Sequence, residues 1–422
     1  MMSFRHPKPL CCLVMGAVAV PAILAAQSYE TGGIQLTFGT TFRLEATDNK
    51  GLRADADKSG SLDAVAGLSF GLLTATPASS FAVNASGEAR AGTSADASGI
   101  TAPRLSTAYN RSSADSTLDL SATFSQTDLS RNEAVVADDI GLAGIVTGTA
   151  IRRAVSARAG LTWGLTSRIS YGLSAAVDKV TYTGGSATGL DGTALQDNRR
   201  LTLGGTSELD LTKAAHLTLG LSYSIFDEDG ARDTSDTTTL TTGLSIDRPL
   251  GTVGATLGVT DSNAGQRYSV SAGRTLALPS GTVSGQIGVS LSDRGSTALI
   301  GSIGASRDLP DGALNFELSR DVSVQNEQDS EQLTTQLSLA YTRSLTPLSG
   351  LEVGFNLAQV EDTQTTRQSQ DATLGATYTR SLTPDWSAAA GYSYRYAKDD
   401  PGVTARSNTV FLQLRRSFVT RY

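Results

Sequence analysis

The C-terminal segment, Thr409 to Tyr422, alternates between apolar and polar side chains, and this pattern constrains the fold more than any other feature. Every second residue, which we call one parity, is mainly apolar, and this set ends on the terminal aromatic residue. The residues between them, the other parity, are mainly polar. Successive side chains of a strand point to opposite faces of the sheet. The pattern therefore predicts a terminal strand with one apolar and one polar face. The apolar parity consists of Val410, Leu412, Leu414, Phe418 and Tyr422.

The same period-two alternation recurs along most of the chain after residue 26, and predicts strands throughout. In a soluble sandwich the apolar faces would be buried against each other. In a transmembrane barrel they would meet lipid, and the small polar residues would line a lumen. Representative segments are Ile34 to Leu44, Ile169 to Asp178, His216 to Phe226, Thr282 to Leu291 and Leu351 to Val360.

The connections between these segments distinguish the two architectures. Short turns containing proline alternate with longer polar, acid-rich segments such as Asp227 to Asp236 and Glu361 to Asp371. Transmembrane barrels have short periplasmic turns and longer outer loops, whereas a sandwich has no reason to keep this asymmetry. We therefore predict an all-β fold, a transmembrane up-and-down antiparallel β-barrel of about 20 strands (roughly 18 to 22). The proline turns contain Pro249, Pro279, Pro310, Pro347 and Pro384.

Residues 1–26 have the pattern of a cleaved signal peptide. Arg5 and Lys8 precede an apolar run from Leu10 to Val20, and small residues follow at Ala25 and Ala26. The alternative is a membrane-anchoring helix, although the run is shorter than the ~20 residues that a span needs. The prediction is export through a signal peptide, residues 1–26, followed by a barrel domain, residues 27–422, in the outer membrane of a Gram-negative bacterium.

Composition excludes several functions. A formal charge of −7 and a pI near 5.0 argue against a nucleic-acid partner. Cys11 and Cys12 both lie in the predicted leader, so the remaining chain has no thiolate nucleophile and no disulfide. The only histidine outside the leader is His216, for which we expect an interfacial or turn role at the periplasmic rim. We therefore expect neither an enzyme nor a cofactor.

The polar parity contains the candidate pore-lining residues. Arg43, Arg152, Arg158 and Arg395 fall on the parity predicted to face the lumen. The longest loop, residues 128–149, precedes the Arg152 strand and carries acidic side chains. These acids are Glu133, Asp138 and Asp139.

By strand count this is the third outer loop, and the chain resembles general diffusion porins in its architecture. In those porins the third loop folds into the lumen and places acids across from a row of arginines. The resemblance implies a channel for passive diffusion of small solutes or ions, with the same acids and arginines at its constriction. The other interpretation leaves these acids on a solvated outer loop.

One segment resembles part of a calcium-binding EF-hand loop. Its oxygen ligands would be Asp55, Asp57, Ser59 and Asp63. The twelfth position, where an EF-hand has glutamate, is Ala66, and the flanking residues have strand patterns. These departures favour a solvated outer hairpin loop and no metal site.

The predicted partners follow from the barrel. Leu412, Leu414, Phe418 and Tyr422 form a terminal strand of the type that barrel-assembly machinery recognises. The outer face would contact membrane lipid and lipopolysaccharide, the lumen would pass small solutes, and a homo-oligomer remains open. Two other functions also remain open, namely an export or assembly barrel for a surface polysaccharide and a structural or adhesive surface barrel.

Overall fold

The structure is a computed structural model. The chain divides into two units, Met1–Glu30 and Thr31–Tyr422, and the described residues all belong to the second unit. The predicted leader lies outside the described residues and stays a prediction. The structure describes residues 33–93, 99–129, 135–137, 144–188, 194–230, 234–325, 330–363, 368–399 and 403–422.

Twenty long strands form one sheet, and three short strands lie outside it. The long strands of the first half are β1 (Gly33–Thr47), β2 (Ser61–Ala75), β3 (Ser79–Gly92), β4 (Gly99–Ser112), β5 (Ser116–Asp128), β8 (Ile151–Trp163), β9 (Ile169–Thr183), β11 (Asn198–Asp210), β12 (Ala215–Glu228) and β13 (Ser235–Arg248). Those of the second half are β14 (Gly251–Ser262), β15 (Gly265–Leu278), β16 (Gly281–Ser292), β17 (Thr297–Leu309), β18 (Gly312–Gln325), β19 (Ser330–Thr346), β20 (Ser349–Asp362), β21 (Gln368–Ser381), β22 (Trp386–Asp399) and β23 (Val403–Arg421). The short strands are β6 (Val135–Ala137), β7 (Gly144–Gly148) and β10 (Ala187–Thr188), and Asp55–Asp57 forms a 3-10 turn.

The sheet closes on itself. Each long strand pairs antiparallel with the next long strand, and β1 pairs with β23 from Gln35↔Arg421 to Thr47↔Thr409. Two backbone hydrogen bonds between Ile34 and Tyr422 continue the seam. The predicted all-β antiparallel barrel of about 20 strands is confirmed. Among the described residues, no helix has the length and hydropathy to cross a membrane.

The two faces of the wall differ in chemistry. Large apolar side chains of one parity, such as Phe42, Leu68 and Leu221, are exposed on the outer face. The opposite parity is mainly polar and faces inward. The large apolar side chains therefore point away from the interior, and the described residues do not fold around a central apolar core.

The two ends of the barrel also differ. The five proline turns connect successive strands at one end, the short-turn end, where both described chain termini also lie. Connections at the other end, the loop end, include residues 48–60, 129–150 and 184–197. The predicted alternation of short turns and longer loops is confirmed, although Asn263 and Ala264 alone connect β14 to β15 at the loop end.

Candidate functional site: the inner face of the barrel

The register places all four predicted arginines on the inner face. Arg43 is opposite Val65 and Gln413, and Arg395 is opposite Thr373 and Ser407. Arg152 and Arg158 alternate with the exposed Val155 and Leu161 of β8. Their role in a pore stays a prediction, and the structure now gives their surroundings.

Arg158 and Asp178 form the most accessible of the described ion pairs on this part of the wall. Nη2 of Arg158 lies 3.3 Å from Oδ1 of Asp178 on β9, and both side chains are about one-third exposed. Thr123 and Ser156 form a 2.6 Å hydroxyl hydrogen bond across the neighbouring β5–β8 pair. Arg152, nearer the loop end, is buried. The polar parity of β8 therefore presents hydroxyl groups and one accessible ion pair to the interior.

Five charged side chains form a buried network near the loop end of β1, β2 and β3. The Arg90 guanidinium donates to Asp63 at 2.7 Å and to Glu45 at 3.3 Å. Lys50 lies 2.9 Å from the same Asp63 oxygen, and Arg43 lies 3.0 Å from Glu45. Three cations thus neutralise two carboxylates that are almost fully buried. Such a network is stable only when each charge keeps its partners, so it fixes the local geometry.

Lys50 belongs to the first loop (residues 48–60), which folds onto the inner face. Leu52 is buried against Ala397 of β22 and Ala405 of β23. The Asn49 amide donates to the carbonyl oxygens of Arg53 and Arg406 at 2.7 and 3.0 Å. Because β23 extends beyond the end of β1, it would otherwise leave a free edge, and the first loop covers that edge.

A second group of contacts attaches the first loop to β23, on its outer face. Asp48 accepts hydrogen bonds from the Asn408 backbone and side-chain amides, both at 2.7 Å. Partial burial alone would raise the pKa of Asp48, but these two bonds and the nearby Lys58 charge hold it below its ordinary value of 3.8. Asp48 is therefore ionised at neutral pH and stays bound to β23.

The β18–β19 hairpin bends over the wall at the loop end. Arg267 of β15 forms a bidentate ion pair with Glu331 of β19, and its Nε lies 2.7 Å from Oε1. These strands are four apart in the wall, about 19 Å at the usual spacing of strands. Three consecutive residues of β19 are buried, namely Glu331, Gln332 and Leu333. Because successive side chains of a strand point to opposite faces, both faces of β19 must be covered here. The end of this hairpin therefore lies across its neighbours.

The third loop, residues 129–150, is described only in part. Glu133, Asp138 and Asp139 lie outside the described residues. The described part contains the β6–β7 pair, and β7 also pairs with β10 of the following loop. Described residues at the ends of this loop, Leu129 and Ala150, form a buried cluster with Ala187 and pack against Tyr182 on the inner parity of β9. The contacts of the first loop and of this cluster on the inner face were not predicted from the sequence.

Two of the four EF-hand-like residues, Asp55 and Asp63, form ion pairs with cations of the protein. Asp63 is bound by Lys50 and Arg90, and Asp55 lies 3.1 Å from Lys58 and 3.6 Å from Arg406. Ser59 is exposed, and nothing is described of the Asp57 side chain. The cations already beside Asp55 and Asp63 fit poorly with a calcium site.

The predicted terminal strand closes the barrel. Leu412, Leu414 and Phe418 are exposed on the outer face of β23, and Tyr422 follows its last paired residue. The Arg416 guanidinium lies 4.6 Å from the Phe418 ring and 5.3 Å from the Trp386 ring. This places a cation between two aromatic rings at the short-turn end, where a membrane interface would lie.

A closed antiparallel barrel with an apolar outer face and a polar inner face defines the class of transmembrane β-barrels. More particularly, the chain has the fold of Gram-negative outer-membrane β-barrels, as the sequence predicted. The siderophore receptor PirA from Acinetobacter baumannii is similar, with a TM-score of 0.52, 9% identity, and coverage of 93% of this chain and 81% of the receptor. A mutant of the ferric enterobactin receptor PfeA from Pseudomonas aeruginosa has a TM-score of 0.51 and 12% identity, covering 92% and 81%.

The TM-scores show a shared fold, and at 9–12% identity the likeness extends no further than the fold. No protein-family model and no curated protein matches this chain.

Proposed function

We propose that the protein is a porin-like channel in the outer membrane of a Gram-negative bacterium, through which small solutes or ions diffuse passively. The observation that supports this proposal is the width of a closed wall with a polar inner face. Twenty strands about 4.8 Å apart and tilted by roughly 40° give a diameter of about 40 Å. Side chains alone do not fill a barrel of this width, and barrels of 16–18 strands already enclose an aqueous channel.

In this proposal the short-turn end faces the periplasm and the loop end faces outward. Residues 1–26 act as the cleaved signal peptide, and the terminal strand is recognised by the assembly machinery. The outer face contacts lipid and lipopolysaccharide. The arginines Arg43, Arg152, Arg158 and Arg395, with Glu133, Asp138 and Asp139 of the third loop, contribute the charges that solutes meet along the lumen.

One observation favours a second function. The first loop and the β18–β19 hairpin both fold over the loop end, and buried ion pairs hold them there. If these segments close the lumen, the barrel serves as a structural or adhesive surface protein. Export of a surface polysaccharide also remains an alternative, with no particular contact in its favour.

Liposome swelling tests the leading proposal. Vesicles containing the folded barrel should swell in isotonic solutions of small sugars, and more slowly as the sugar becomes larger. Vesicles with heat-denatured protein are the control. Folded barrel that admits no sugar and no ion would support the structural alternative.

A further inference from the structure

Four side chains that can bind a metal converge on the inner face at the short-turn end. Asp210 and His216 are opposite residues that close the β11–β12 hairpin. Glu208 is two residues before Asp210 and therefore on the same face. His216 is also opposite Ser245 of β13, which places Asp247 diagonally beside it on that face. The register of three neighbouring strands thus brings the four side chains together.

The donor atoms are close to one another. His216 Nδ1 lies 2.5 Å from Asp210 Oδ1 and 4.0 Å from Glu208 Oε1. Its other ring nitrogen, Nε2, lies 3.3 Å from Asp247 Oδ2. Glu208, Asp210 and His216 each offer one ligand atom, and these three atoms all lie within 4.8 Å of one another. In a tetrahedral zinc site, ligand atoms lie about 3.4 Å apart, so small side-chain rotations would complete the geometry.

Hydrogen bonds stabilise the β11–β12 hairpin, while the carboxylates beside His216 stay accessible. The Arg168 guanidinium donates to the carbonyl oxygens of Asp210 and Leu211, both at 3.2 Å, and Thr212 bonds to Ala215 within the turn. His216 is only 12% exposed, whereas Asp210, Glu208 and Asp247 are 36%, 38% and 52% exposed. A cation entering from the short-turn end can therefore reach the carboxylates without displacing the wall.

From this geometry we infer a binding site for a divalent transition metal, with Zn²⁺ as its best-fitting ion. Glu208, Asp210 and His216 are the ligands, and Asp247 accepts a hydrogen bond from the second imidazole nitrogen. An imidazole nitrogen with carboxylate oxygens is a donor set suited to Zn²⁺, whereas Mg²⁺ and Ca²⁺ are bound mainly by oxygen. A carboxylate on the second nitrogen orients many metal-binding histidines.

Calorimetric titration of the purified folded barrel tests the site. His216 is the only histidine outside the predicted leader, so the protein should carry a tag without histidine and should be freed of metal by a chelator. We expect one Zn²⁺ per chain, bound at least tenfold more tightly than Mg²⁺. His216→Ala and Asp210→Asn should each weaken Zn²⁺ binding at least tenfold.

Asp178→Asn is the matched control, because it removes an inner-face carboxylate that is paired with Arg158 and belongs to other strands. It should change Zn²⁺ affinity less than twofold. Where His216→Ala fails to fold, His216→Gln replaces it, and heat-modifiable migration in gels verifies folding. Absence of Zn²⁺ binding, or equal binding by the His216 variant, would overturn the inference and leave a histidine hydrogen-bonded between carboxylates. The titration requires no conductance, so its outcome is independent of the proposed channel function.

Discussion

The buried charges of the first three strands show how single residues fix the loop end. Arg90 contacts both Asp63 and Glu45, and its side chain is 4% exposed. Removing one partner of a buried ion pair leaves an uncompensated charge and typically costs about 3–5 kcal/mol. The same change on an exposed pair costs about 0–1 kcal/mol.

We therefore expect Arg90→Met to destabilise the barrel by about 3 kcal/mol or more, measured by urea unfolding in detergent or lipid. Arg158→Met is the matched control, since it breaks the more accessible pair with Asp178 and should cost less than about 1 kcal/mol. Equal losses of stability in the two variants would show that the buried network near Asp63 contributes no more than an accessible ion pair.

Asp48 gives a prediction about pH. Its pKa is lower in the folded protein than its ordinary value of 3.8, so its carboxylate stabilises the folded state above pH 3.8. This contribution is lost as the pH falls below 3.8 through the folded-state pKa. The protection of the Asn408 backbone amide against hydrogen exchange, measured relative to the intrinsic rate at each pH, should therefore decrease only below about pH 3.8. Asp48→Asn should remove that pH dependence, and a loss of protection that begins already near pH 6 would contradict the assignment.

At the scale of elements, the terminal strand carries a prediction about assembly. The backbone of Tyr422 closes the seam with Ile34, and Phe418 contacts Arg416 on the outer face. Deleting Tyr422 or replacing Phe418 with Ala should reduce the yield of heat-modifiable, protease-resistant barrel in the membrane several-fold. Tyr378→Ala is the control, because it removes an exposed aromatic residue from a strand away from the seam. Normal assembly of both terminal variants would refute the prediction.

The first loop gives another prediction at this scale. Leu52 is buried between Ala397 and Ala405, so Leu52→Asp would place a charge in an apolar contact and should release the loop. Protease cleavage within residues 48–60 should increase, and so should any conductance that the loop restricts. Leu250→Asp introduces the same charge in an exposed turn and should leave both unchanged. Unchanged protection in the Leu52 variant would mean that the remaining contacts alone hold the loop.

The strands were predictable from the sequence, whereas the loop contacts were not. Alternation in segments such as His216 to Phe226 is local, because each side chain's face follows from its parity. The contact between Asn49 and Arg406 joins residues 357 positions apart, and no local pattern indicates it. The ion pair of Arg267 with Glu331 also requires a hairpin that bends, which parity cannot predict.

The His216 cluster is an intermediate case. Once Asp210 and His216 are assigned to the two sides of a short hairpin, parity places Glu208 on the same face. The sequence located His216 near the short-turn end but did not join it with these acids. Adding Asp247 required the register between β12 and β13.

At the scale of the whole molecule, the wall is stabilised mainly by closure and by its surroundings. Only thirteen apolar side chains are buried among the described residues, while most large apolar side chains lie on the outer face. Their burial requires a membrane or detergent, since the hydrophobic effect acts only on surface removed from water. The barrel should therefore aggregate in detergent-free buffer and resist unfolding in lipid.

Single-channel recording in a planar bilayer with a salt gradient tests the central claim most directly. The wide polar interior predicts discrete open steps, and the reversal potential shows whether cations or anions pass more readily. Barrel that is verified as folded and inserted, yet gives no conductance at any voltage, would contradict an open lumen.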